Sequence, residues 1–316
     1  MKKADFERLK AEEIERFRDP GERRDYYARW FEGEPLREPV GWEKWRIARF
    51  LELAGKLLHG LVLDAGCGSG ENTVRYVQRA ERVVALDLVP AAVRRAASRH
   101  AAILGCAGDC QALPLADETV DAVMSTDVIE HMPDDRAYLG EIRRVMKPGA
   151  RALIATPNRD YPFLYEPVNW LLVRLRGFPR YRGSLGRGHC RLYTVEGLSA
   201  LAKAVGFEVE EAHRIGGSLV ALAYRLQASA SAFPERARAL LLGDSMSEAA
   251  GLCARSSGQA EGVSSVRRIL RSVRRVYTDF TTVVLGKIAE GMCELDRRLF
   301  RRPRSTIYIV LILRKR

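Results

Sequence analysis

From Leu61 onward, short apolar runs alternate with amphipathic stretches. The runs LVLD (61–64), RVVALD (82–87), AAILGCAGD (101–109), DAVMSTD (121–127) and ARALIATP (150–157) read as strands. Helical patterns start at about 71 and about 90, and a third spans 134–146. Strands that are apolar on both faces, with helices between them, predict right-handed βαβ units and a parallel sheet covered on both sides.

The flanks follow other rules. Residues 5–18 and 42–58 both read as helices, the second with Trp45, Ile47, Phe50, Leu51, Ala54 and Leu58 at mostly three- and four-residue steps, so 1–58 is predicted to be a helical cap on a core of 59–215. After 158 the rhythm breaks. Residues 159–193 are rich in aromatics, Arg, Gly and Pro, with one short helical piece at 168–175, and read as a lid-like loop. Regularity returns with Thr194 as a helix N-cap, a helix to Val205, Gly206 as its stop and a strand over 207–215. A mostly helical stretch, 216–304, precedes a last strand over 305–313. Pairing of that strand with 207–215 makes 216–304 a helical insertion.

Composition adds exclusions. The chain has 316 residues, 47% of them hydrophobic and 29% charged, as in ordinary globular proteins. Its first twenty residues alternate charge without an apolar segment, so a secretory signal is not expected and the expected location is the cytoplasm. The longest apolar run, TIYIVLIL at 306–313, falls short of the roughly 18 residues of a spanning helix. Six cysteines without a C-x-x-C spacing read as free thiols.

The net charge is +12, and residues 262–316 hold fourteen Lys/Arg against four Asp/Glu. Within 262–285, Val266, Ile269, Leu270, Val273, Val276, Tyr277 and Phe280 form a helical stripe beside Arg267, Arg268, Arg271, Arg274 and Arg275. Three uses stay open for such a helix: packing on the catalytic core, lying on an anionic membrane surface, or meeting a polyanion such as RNA.

The chemistry-bearing stretch is LVLDAGCGSGENTVRYV, 61–77. A strand ending in Asp64, then Gly66, Gly68 and Gly70, then a helix, lets backbone approach a ligand and aims N–H groups at it. Asp87 ends the next strand, placed to accept from ribose hydroxyls. The spacing G-x-G-x-G differs from the dinucleotide fingerprint, and no phosphate-binding lysine follows. An adenosine-bearing cofactor is the expectation.

These residues resemble the class I S-adenosylmethionine-dependent methyltransferases, in particular the ubiquinone-type O-methyltransferase branch. LDAGCGSG resembles the family's first motif, and ALPLADETVDAVMSTDVIEHMPD, RVMKPGA, TPN and GHCRLYT resemble later ones in order. The resemblance implies an α/β fold: a Rossmann-like doubly wound seven-stranded sheet, mostly parallel with an antiparallel last strand. It also implies S-adenosyl-L-methionine as cofactor. Asp64 with the backbone of Gly66 and Gly68 would hold the methionine part, Asp87 the ribose, and Asp109 and Cys110 the adenine edge. Cys67, Gly70, Leu88 and Asp127 complete the set.

The acceptor is expected at the carboxyl ends of the strands, near 127–131 and Asn158. A hydroxyl acceptor must lose a proton, and histidine titrates near neutrality, with an unperturbed pKa of about 6.5. His131 and His189 are therefore the base candidates. Asp127, Glu130 and His131 also resemble the E-x-x-E-H cation pattern of the ubiquinone-type enzymes, with Asp in place of the first Glu; no metal is expected. The STDVIEH segment lacks an N-P-P-Y-like sequence, which disfavours a nucleic-acid base as acceptor. Phe163, Leu164, Tyr165, Trp170, Leu171, Leu172 and Phe178 favour a small or lipid-like one. The alternatives are an RNA methyltransferase or a cofactor-binding module without catalysis.

Overall fold

The computed structural model describes residues 3–31, 39–55, 57–163, 165, 188–226, 284–299 and 305–316. Three helices come first, α1 (Lys3–Arg16), α2 (Pro20–Phe31) and α3 (Trp42–Ala54). The alternating region follows as β1 (Leu61–Ala65), α4 (Thr73–Tyr76), β2 (Arg82–Asp87), α5 (Pro90–Ala97), β3 (Ile103–Ala107), β4 (Val120–Thr126), α6 (Asp135–Val145) and β5 (Met146–Pro157). Next come α7 (Val195–Ala204), β6 (Phe207–Ile215), α8 (Gly286–Leu299) and β7 (Tyr308–Lys315). Residues 218–226 are also helical.

All seven strands form one sheet in the order β3-β2-β1-β4-β5-β7-β6. Neighbours from β3 to β5 run parallel, whereas β7 lies antiparallel between β5 and β6. This is the expected doubly wound sheet, and the expected pairing of the last strand with 207–215 is present, from Phe207 against Lys315 to Ile215 against Tyr308. The strand order reverses between β1 and β4, so their carboxyl ends open a crevice there.

Alternate residues along the strands feed two cores. Leu63, Val123, Ile154 and Leu311 face Tyr138, Leu139 and Ile142 of α6 and Leu198 of α7. Val62, Met124, Leu153 and Ile312 face Phe50 and Ala54 of α3, with Ala289 and Cys293 of α8. Burial on both faces is why these strands read as continuous apolar runs.

Several boundaries differ from the sequence reading; α3 ends at Ala54 and not at 58, and β7 starts at Tyr308 and not at 305. The helix expected from 71 is a single regular turn, α4, with ragged three- and four-residue bonds from Val74 to Ala80 around it. β5 starts at Met146, four residues early, because Val120 pairs with Met146 across a register shift. α2 was not foreseen at all. Its sequence, PGERRDYYARWF, opens on Pro-Gly and carries charges on every turn, so no apolar period announces it. Thr194 caps α7 as expected, its hydroxyl accepting from the Gly197 N–H at 3.1 Å.

The basic helix expected over 262–285 falls outside the described residues except for its last two. Leu164, Trp170, Leu171, Leu172 and Phe178 of the lid-like loop also fall outside. Tyr165 is buried and stacks on Tyr224 at 4.8 Å between ring centroids, which makes it core. Phe163 is exposed. The described cysteines, 67, 106, 110, 190 and 293, are free thiols. Among the described residues no helix is long and apolar enough to cross a membrane.

Candidate active site

The glycine loop turns off β1 beside the end of β2. The N–H groups of Gly66 and Cys67 both donate to the Leu86 carbonyl, at 2.8 and 2.9 Å. Gly66 and Gly70 have φ of +80° and +82°, and a side chain at either would collide: with Val128 Cγ2 at 2.3 Å, and with Ala96 at 2.8 Å. Gly68 differs. A Cβ there meets nothing nearer than the Phe31 ring at 3.5 Å, so the loop is tight at its two ends and open at its middle.

Two acids stand below this loop. Asp87 accepts from the Gly68 N–H at 3.0 Å and from the Val89 N–H at 2.9 Å. Burial pushes its carboxyl up, against the pull of the Val89, Gly68 and Leu88 N–H groups. Asp64 is buried and accepts from the Thr73 hydroxyl at 2.6 Å. Burial pushes it up to about 7; the Thr73 bond opposes that shift, while the charges of Asp87 and Glu71 add to it. Asn72 sits beside them, donating to the Thr126 hydroxyl at 3.2 Å, while its carbonyl oxygen is buried and takes no hydrogen bond among the described residues. The sequence reading missed Asn72; a polar residue two positions after Gly70 was the available signal.

Asp109 follows β3, accepting from the Gln111 N–H at 3.0 Å and pairing with Arg23 of α2, whose side chain is almost fully buried. Cys110 is buried next to it, and burial pushes its thiol, like that of Cys67, well up. Asp127, just past β4, has φ of +61°, a conformation in which Asp is less penalised than most residues. Its carboxylate pairs with Arg46 of α3, which lies over the rings of Trp42, Phe50 and Tyr308.

Three residues beyond Val128, on a short 3-10 turn, stands His131. Its ring meets that of His189 edge-on at 4.7 Å between centroids, although 58 positions separate them in sequence. The Cys190 N–H donates to the Glu130 carbonyl at 2.6 Å, which ties the His189 segment to the His131 turn. Glu130 is fully buried and accepts from the Thr156 hydroxyl at 2.8 Å. The carboxylate and imidazole atoms of Glu130, His131 and His189 lie within 4.8 Å of one another, a grouping compatible with a cation. Asp127, which the E-x-x-E-H pattern places with Glu130 and His131, is directed to Arg46 instead.

The structure thus brings together Asp64, the glycine loop and Asp87 at β1 and β2. Asp109 and Cys110 lie at β3, and Asp127, His131 and His189 at β4. All stand at the carboxyl edge of the sheet. Asn158 also lies there, but it is buried and donates to the Thr306 hydroxyl at 3.0 Å, which gives it a structural role.

Comparison with known proteins matches residues 63–154 to the methyltransferase domain family. The chain is 32% identical over 176 residues to a probable S-adenosylmethionine-dependent methyltransferase of Mycolicibacterium smegmatis, covering 56% of this chain and 63% of that protein. It is 39% identical over 95 residues to a malonyl-[acyl-carrier protein] O-methyltransferase of Serratia marcescens, covering 30% of this chain and 37% of that one. The chain therefore spans less than two thirds of either relative. Among solved structures, a putative sarcosine dimethylglycine methyltransferase from Galdieria sulphuraria is 17% identical, with a TM-score of 0.47 over 86% of this chain and 84% of that one.

Proposed function

We propose that this chain, which belongs to the class I S-adenosylmethionine-dependent methyltransferase family, transfers a methyl group from S-adenosyl-L-methionine to a hydroxyl oxygen of a small or lipid-like acceptor. The observation that carries the oxygen assignment is the pair of imidazoles, His131 and His189, at the sheet edge next to the glycine loop. The O-methyltransferase of Serratia marcescens among the relatives supports it.

The residues fit the cofactor. The buried Asn72 oxygen and the Asp64 carboxyl offer acceptors for an ammonium group, the open middle of the loop admits backbone contact at Gly68, and Asp87 faces a ribose. Leu88 follows it, Asp109 and Cys110 border the adenine side, and Asp127 stands at the acceptor end. S-adenosyl-L-methionine supplies an electrophilic methyl on a sulfonium, so much of the acceleration comes from alignment in a near-attack geometry. Asp64, the loop and Asp87 fix one partner. His131, with His189 beside it, takes the proton from the acceptor hydroxyl.

Asp64 links binding to pH. With its carboxyl raised to about 7, it is protonated at pH 6, and an ammonium group beside it favours the ionised form. Binding at pH 6 therefore releases a proton, and affinity rises as pH rises toward 7. Calorimetry at pH 6 in two buffers of different ionisation enthalpy should show release approaching one proton, absent in Asp64→Asn.

Ala at His131 or His189 should lower turnover by about 10²–10⁴-fold, the usual size of a general-base contribution, with cofactor affinity nearly constant. The assay uses cofactor tritiated on the methyl group with a panel of phenols, long-chain alcohols, carboxylic acids and RNA. Label in an alkali-stable ether supports this reading; label only in RNA transfers preference to the nucleic-acid reading, which the basic 262–316 segment favours. That same segment motivates a peripheral site on an anionic membrane. Co-sedimentation with anionic but not neutral vesicles, weakening as salt rises, is the expected result.

A further inference from the structure

The unforeseen helix α2 presents Arg23, Tyr27 and Phe31 at four-residue steps, hence along one face. Each touches a different part of the site. The Arg23 guanidinium donates to the Phe17 carbonyl at 3.0 Å and pairs with Asp109. Phe31 lies over Gly68. Between them, the Tyr27 hydroxyl is 2.9 Å from His131 Nδ1 and donates to the Gly188 carbonyl at 3.2 Å.

The Gly188 carbonyl is itself 3.1 Å from His131 Nδ1. A carbonyl oxygen only accepts, so an unprotonated Nδ1 at that distance would set two lone pairs against each other. With the Tyr27 O–H directed to the same carbonyl, its oxygen is open to accept from the ring. The Gly188 carbonyl therefore requires a proton on Nδ1, the Tyr27 hydroxyl can accept from that N–H while its own O–H is directed to Gly188, and the partner of one ring nitrogen decides what the other can do. Gly188 allows this closeness: it has φ of +62°, and a Cβ there would stand 2.7 Å from the Tyr27 hydroxyl. Phe17 and Tyr26 hold the Tyr27 ring by edge and tilted contacts, with centroids 5.9 and 5.0 Å away. Burial also keeps the Tyr27 phenol protonated.

We infer that Tyr27 is a positioning residue: together with the Gly188 carbonyl it holds His131 as the Nδ1–H tautomer, which makes Nε2 the basic nitrogen of the ring. This rests on the reading of His131 as the base. It adds that α2, anchored on Asp109 at the cofactor side, sets the state of the acceptor side.

The test reads the tautomer directly and requires no acceptor. In ¹⁵N-labelled full-length protein at pH about 8, above the ordinary histidine pKa, two-bond ¹H–¹⁵N correlations distinguish Nδ1–H from Nε2–H for each of the five histidines. His131→Gln assigns the signal. The expected wild-type pattern is Nδ1–H. Tyr27→Phe keeps the ring and its packing, and should lower the ratio of Nδ1–H to Nε2–H about fivefold, the effect of one ordinary hydrogen bond. A wild-type His131 protonated on Nε2 overturns the inference without any variant, and so does an unchanged ratio in Tyr27→Phe. Whether His131 is the base is judged separately, from the turnover of His131→Ala, so failure of that reading cannot be mistaken for failure of this one.

Discussion

Replacing Asp87 with Ala lowers the affinity for S-adenosyl-L-methionine by about 10- to 150-fold, the conversion of the ~1.5–3 kcal/mol carried by hydrogen bonds to a charged group. Two losses combine. The ribose hydroxyls lose their charged acceptor, and the Gly68 and Val89 N–H groups, at 3.0 and 2.9 Å from the carboxylate, lose the atom that fixes the loop. Asp87→Asn separates them, because one acceptor oxygen survives; its affinity should fall between wild type and the Ala variant. Calorimetry on the three proteins decides it. Unchanged affinity in Asp87→Ala would remove Asp87 from the cofactor site.

Gly66→Ala should destabilise the fold by about 2–5 kcal/mol, from ~1–2 for a left-handed non-glycine residue and ~1–3 for overpacking. The collision is with Val128 Cγ2, 2.3 Å from the position of the new methyl. Gly68→Ala is the control. It has φ of +53° but only an ordinary contact with Phe31 at 3.5 Å, so its cost should stay near the backbone part, about 1–2 kcal/mol. Urea denaturation measures both. Equal costs would deny the close packing of the loop on Val128, and Val128→Ala should recover part of the loss in the Gly66 variant.

What the sequence revealed follows from how local each signal is. The βαβ core was readable because its strands are apolar on both faces and its turns carry Gly and Asp. The Asp64 and Asp87 positions follow from strand ends, and Thr194 announced α7 through its own hydroxyl. The pairing of β7 with β6 was also foreseen, while its other neighbour, β5, was not. α2 was not legible: Arg23, Arg24, Asp25, Tyr26 and Tyr27 look solvent-facing, and only the fold shows Arg23 buried against Asp109. The neighbourhood of His131 and His189 depends on a return of the chain that no period encodes. The pairing of the Asp127 carboxylate with Arg46, across 81 positions, was not legible either. Long-range ion pairs of this kind are set by tertiary packing, and a one-dimensional pattern does not carry them.

The central claim is that the loop between β1 and α4, with Asp87, is built for S-adenosyl-L-methionine. Its most direct test is a competition titration of the wild-type protein with S-adenosyl-L-homocysteine and with NAD, read by calorimetry. The account predicts saturable one-to-one binding of S-adenosyl-L-homocysteine, displaced by S-adenosyl-L-methionine and untouched by NAD. Preferential binding of NAD, or no binding of either sulfur ligand by folded protein, would contradict it.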